Sequence, residues 1–189
     1  MRATTATLIL TGILTTSFSQ VVAFASEADT SQELIKRGEY LVDYGGCNDC
    51  HTPKRFTPTG PEPDPTKLLS GHPSTGKVPE VPLGIIGPDK WGALTTNDMT
   101  AWVGPWGVSF TANLTPDNRT GLGAWTEDMF IRTMRTGKHL GVGREILPPM
   151  PWYTLAALTD GDLEAIFAYL KSIKPIENEV PQPVPPQKQ

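Results

Sequence analysis

Apolar residues recur at helical spacing in three stretches, and the rest of the chain is rich in loops. In the first, Leu34, Ile35, Leu41 and Val42 share one face of a segment over residues 33–44. Thr30 is placed to cap it, Glu33 to complete a capping box, and Gly45-Gly46 to end it. The second predicted helix covers residues 127–136, capped by Thr126 and stopped by Gly137. Acidic residues at its start, with Arg132 and Arg135 near its end, suit the helix dipole. The third covers residues 161–173 behind Thr159, carries Leu163, Ile166, Phe167 and Leu170 as a stripe, and closes at Lys174-Pro175. A short helix over residues 96–103, capped by Thr96 or Asn97, completes the set. Stripes of this kind are core faces by default.

Between His51 and Phe110 the periodicity fades while Pro and Gly become dense. A loop-rich stretch this long, taken as an insertion over residues 54–110, is either functional or disordered. Trp91, Trp102 and Trp106 within it argue for packing, because disordered segments rarely carry tryptophan. Residues 175–189 are Pro-rich and polar and read as an extended polyproline segment or tether.

The first 25 residues follow another logic. Arg2 precedes an apolar patch from Leu8 to Leu14, and Ala23-Phe24-Ala25 forms an A-x-A cleavage site. This is a signal peptide for export, with an uncleaved anchor as the alternative. Thr11, Gly12, Ser17, Ser19 and Gln20 make it a poor membrane span. Removal would leave residues 26–174 as one domain followed by the tail, with no integral span. Sixteen basic residues against twenty acidic ones give a net charge of −4. That balance argues against nucleic-acid binding and polybasic membrane-surface binding, which need clustered positive charge.

The chain's two cysteines lie in Cys47-Asn48-Asp49-Cys50-His51, a C-x-x-C-H run that is the attachment signature of c-type haem. Each cysteine would form a thioether with a haem vinyl group, and His51 would ligate the iron. A zinc site would need His72 or His139 at irregular spacing, and a thioredoxin-like motif would need a βαβ setting. Export agrees with the haem reading, since c-type haem is attached outside the cytoplasm. Candidate sixth ligands are Met99, Met129, Met134, Met150, His72 and His139. Met150 is favoured because Pro148, Pro149 and Pro151 stiffen its surroundings and a thioether needs a rigid scaffold to stay on iron. His139, among Gly137, Gly141 and Gly143, is the runner-up. The tryptophans of the insertion would then pack over a haem edge.

These features resemble the monohaem class I cytochromes c: a helix leading into CNDCH, a proline-flanked Met150, and a final helix reading LEAIFAYLKSIK. The resemblance implies an all-α fold whose N- and C-terminal helices cross around one covalently bound haem c. Gly38 and Tyr169 occupy the positions of the close crossing. A narrower resemblance covers residues 107–171. Ala112-Asn113-Leu114-Thr115-Pro116-Asp117, the run from Gly121 to Thr126, Arg135-Thr136-Gly137 and PPMPW are similar to cytochrome c domains associated with periplasmic dehydrogenases. Such domains accept electrons from a catalytic subunit. Departures are the 99 positions between His51 and Met150, wider than in compact members, and the single C-x-x-C-H where many relatives have two or three. The family's backbone carbonyl for the proximal histidine is expected at Gly60-Pro61, with Gly87-Pro88 as the alternative.

The function implied is a non-enzymatic, periplasmic single-electron carrier with cofactor-binding residues Cys47, Cys50, His51 and Met150. Its partners would be a dehydrogenase donor and an oxidase or another cytochrome as acceptor. The alternative is a catalytic haem protein, a peroxidase or small-molecule oxidoreductase, whose sixth ligand is displaceable.

Overall fold

A computed structural model describes residues 16–186 except 82 and 83, with side chains described from residue 29. The n-region and apolar patch of the expected signal peptide therefore lie outside the described residues. The chain divides into two compact units, 1–33 and 34–189. Of the smaller, the described part is helical backbone. Five helices and two small antiparallel sheets make up the described elements. The all-α expectation is thus corrected: the strands fall in the segment that was expected to be only loop-rich.

Helix α1 spans Thr16–Tyr44. It passes through Thr30, which is inside the helix and not its cap, because residues 16–37 contain neither Gly nor Pro to interrupt it. Its end falls where expected, with Gly45 and Gly46 turning the chain back by hydrogen bonds to Leu41 and Asp43. One helical turn, α2 (Cys47–His51), follows directly. Strands β1 (Lys54–Thr57) and β2 (Gly60–Pro63) form a hairpin, followed by a 3₁₀ turn at Pro65–Lys67.

Strands β3 (Leu94–Thr95), β4 (Ala101–Gly104) and β5 (Gly107–Phe110) form the second sheet. The helix expected over 96–103 does not exist. Thr96 and Thr100 both donate hydroxyl hydrogen bonds to Asp98, at 2.6 and 2.8 Å, and this closes a turn that reverses the chain. Although burial acts to raise it, these bonds hold the Asp98 carboxyl below its ordinary range. Trp102 and Val103 then suit a strand better than a helix.

Helix α3 (Glu127–Thr136) matches its expected bounds: the Thr126 hydroxyl accepts from the Met129 N–H at 3.2 Å, and Gly137 closes it at φ 65°. After a 3₁₀ turn at His139–Gly141 come the short α4 (Trp152–Leu155) and α5 (Asp160–Ser172), the latter capped by Thr159 as expected. Arg135 ties α3 to the α4–α5 link through the carbonyls of Ala156 and Leu158 and the Asp160 carboxylate. The core is where α3, α5 and residues 34–44 of α1 meet, around Val42, Phe130, Leu163 and Leu170.

Gly38 sits at the closest approach of α1 to α5. A Cβ there would run into the Ala165 carbonyl and stand 2.8 Å from the Tyr169 Cβ. Arg37 secures the same crossing by two hydrogen bonds to Asp162, at 2.9 and 3.0 Å. Gly38→Ala should therefore destabilise the fold, although helix propensity alone would favour alanine by about 1 kcal/mol. A loss of roughly 1–3 kcal/mol is expected, lowering Tm by about 2–4 °C per kcal/mol in a chain of this size. A thermal melt reads the sign directly, and a raised Tm would show that the crossing has room.

The described part of the tail, residues 175–186, is extended and held at several points. Ile176 donates to the Thr115 hydroxyl at 3.0 Å, Asn178 bonds Ser70, His72 and Ser74 on one segment and Thr120 on another, and Val184 pairs with Val108. Among the described residues, no helix is long and apolar enough to cross a membrane.

Candidate metal centre

A single helical turn brings Cys47, Cys50 and His51 together, because positions three apart on a helix share a face. Both cysteines are free thiols. Burial, followed by the charges of Cys50, Asp43 and Asp49, pushes the Cys47 thiol up to about 11. Burial and Asp49 also raise Cys50, against the opposing charge of Lys54. Both therefore stay protonated near neutrality. That is unfavourable for thiolate nucleophiles or zinc ligands, which act as S⁻. Among the described residues no group of three or more His, Cys, Asp or Glu side chains is arranged to hold a metal ion by itself.

His51 is 8% exposed, and its Nδ1 lies 2.8 Å from the Ala112 carbonyl oxygen. A carbonyl can only accept, so Nδ1 carries the proton. Burial lowers the imidazole pKa, against the Ala112 bond that raises it, and so favours the neutral ring. The lone pair is then on Nε2, to which no hydrogen bond is made among the described residues. A buried neutral imidazole with one nitrogen fixed by a carbonyl is the arrangement in which histidine ligates a metal through the other.

Backbone bonds hold that arrangement. Gly71 N–H donates to the His51 carbonyl at 2.8 Å, His72 N–H to Thr111 at 3.0 Å, and Leu114 N–H to Leu69 at 2.9 Å. Thr52 accepts from Leu69 N–H and donates to Asn48, and the Lys54 ammonium caps the carbonyls of Asn48, Asp49 and Thr52. The carbonyl acceptor expected at Gly60-Pro61 is corrected: Gly60 closes the β1–β2 hairpin opposite Thr57, and Ala112 takes the role. Gly87-Pro88 does not take it either. A backbone carbonyl is available from any residue, so the pairing of positions 61 apart leaves no compositional trace.

Met150 is half-buried in a loop whose Pro148-Pro149 bond is cis. The Ser109 hydroxyl donates to the Pro148 carbonyl at 2.6 Å and accepts from the Trp106 indole at 3.2 Å. Ser109 and Ala112 are three residues apart on one extended segment. That segment thus touches both the His51 imidazole and the Met150 loop. Trp102 and Trp106 are hydrogen-bonded and half-buried, whereas Trp91 is 65% exposed and not packed.

Of the other ligand candidates, Met134, His72 and His139 have defined surroundings. Met134 belongs to the core. His72 is buried, its Nδ1 bonded to the Thr100 hydroxyl at 2.8 Å. His139 is exposed and meets Trp125 edge-on at 5.1 Å. Ser109, Ala112 and Asn178 were not legible as site residues.

No family model matches this chain. It is 27% identical over 172 residues to the gluconate 2-dehydrogenase cytochrome c subunit of Pantoea cypripedii, covering 86% of this chain and 30% of that one. It is 28% identical over 174 residues to the alcohol dehydrogenase (quinone) cytochrome c subunit of Gluconobacter oxydans, covering 90% and 27%. Similarity to the fructose dehydrogenase cytochrome subunit of Gluconobacter japonicus is 25% over 156 residues, covering 82% and 24%. The homologues are cytochrome subunits of dehydrogenases, and the chain spans less than a third of their length.

Proposed function

We propose that the chain is a single-electron carrier of the class I cytochrome c type, holding one covalently attached haem c and serving a dehydrogenase. The observation that carries this reading is the His51 imidazole, buried beside two thiols one turn away, with Nδ1–H committed to Ala112 and Nε2 free. The residues fit the group: protonated thiols are the form that adds S–H across a vinyl double bond, sulfur to one carbon and hydrogen to the other. Haem held there supplies one-electron cycling of its iron.

Each side chain then has a defined task. Cys47 and Cys50 fix position covalently, and His51 donates through Nε2 with its orientation set by Ala112. Met150 would supply a soft thioether to the iron, held by Pro148, Pro149 and Pro151, and such ligation would raise the reduction potential. The close crossing at Gly38 and Ala165 supports the class I arrangement of terminal helices. The names of the homologues support a dehydrogenase catalytic subunit as donor, and an oxidase or second cytochrome would be the acceptor. Export through residues 1–25 would put the protein in the periplasm.

The test is direct. Chain produced with its leader, in a host that matures c-type cytochromes, is expected to keep one haem per polypeptide through denaturing electrophoresis and acidic solvent extraction. Haem that is extracted, or absent, would sink the covalent reading.

A further inference from the structure

The hydrogen bonds around His51 lead outward to a residue in the tail. Asn178 Nδ2 donates to the Ser70 carbonyl at 2.7 Å and to the His72 carbonyl at 2.9 Å, and its Oδ1 accepts from Ser74 N–H at 2.9 Å. Both amide donors and the acceptor are used, and the backbone N–H donates to the Thr120 hydroxyl at 3.0 Å. The residue between the two clamped carbonyls is Gly71, whose N–H holds the His51 carbonyl. The second clamped residue, His72, holds Thr111, next to the Ala112 carbonyl that receives His51 Nδ1–H. From the other side, Asn113 Nδ2 reaches the Ile176 carbonyl at 2.8 Å. The tail therefore grips both strands of chain that fix the imidazole.

We propose that Asn178 is a positioning residue for His51, setting the strength of the Nδ1–H···O=C bond and thereby the electronic character of the iron ligand. This rests on the haem reading above. A strong bond at Nδ1 makes the imidazole a better donor and favours the ferric state. With the clamp removed, the segment 70–72 and the Ala112 carbonyl relax away, the bond weakens, and the ferrous state gains. General loosening has the opposite sign, because admitted water stabilises the additional charge of ferric haem.

Asn178→Leu is the informative variant: it keeps the size and neutrality of the side chain but removes the donors to Ser70 and His72 and the acceptor to Ser74. Asn178→Ala also removes all three bonds. Val184→Pro is the control, deleting the Val184 N–H bond to the Val108 carbonyl farther along the tail without touching the clamp. Both Asn178 variants should show a raised midpoint potential. Amide exchange at Gly71 and His72 should accelerate roughly tenfold or more, as expected when hydrogen bonds closing a local structure are lost. Val184→Pro should shift neither. Unchanged potential and exchange in both Asn178 variants would overturn the proposal, as would an equal rise in potential for Val184→Pro. Wild-type protein without covalent haem would instead overturn the reading beneath it, and amide exchange would still decide whether Asn178 clamps the segment.

Discussion

A Cys50→Ala chain is expected to leave its host without stably bound haem. The chain has two cysteines, both on the single turn α2, so the substitution removes one of only two covalent bonds available to the group. What remains is Cys47 and the non-covalent grip of His51, on a five-residue helix whose own stability depends on the Lys54 cap and the Thr52–Leu69 bond. Covalent loading should fall to background, read as haem that co-migrates with denatured polypeptide. Far-UV circular dichroism separates this from simple misfolding, since the α1–α3–α5 core does not include Cys50. Normal covalent loading in the variant would remove the basis of the whole functional reading.

Met150→Ala is expected to act on potential and access together. A neutral thioether is a weak ligand, and its scaffold is costly: three prolines, the Ser109–Pro148 bond, and the Trp106 indole behind Ser109. Without the sulfur the ferrous state loses its preferred partner. The potential should fall by something on the order of 0.2 V, a fraction of the roughly 0.8 V over which axial ligands tune haem. The emptied position should also bind added imidazole or cyanide, which the wild type should resist. An unchanged spectrum would transfer the role to another side chain, with exposed His139 the first to examine.

The parts legible in the sequence are those decided locally. Thr126, Thr159 and Gly137 marked helix ends because capping needs only neighbours along the chain. Gly38 was legible through the family resemblance, and its contact with Ala165 and Tyr169 gives the physical reason for a glycine inside a helix. Three features were not legible, two because their causes are distant in sequence and one because a capping pattern can also close a turn. The Ala112 carbonyl is recruited by a histidine 61 positions earlier, and any residue could have supplied it. The 94–110 sheet replaces an expected helix because Asp98, with two threonines folded onto it, makes a turn out of what reads as a cap. The tail reads as a tether by composition, yet Ile176 and Asn178 dock through single polar groups that composition does not reveal.

The most direct test of the account is the optical spectrum of the purified protein, first oxidised and then reduced with dithionite. His51–Met150 ligation predicts a sharp low-spin c-type pattern on reduction and, in the ferric form, the weak band at the red edge that methionine–iron coordination gives. A high-spin haem, or a ferric spectrum lacking that band, would contradict His51–Met150 ligation and favour a haem with an open, reactive sixth position.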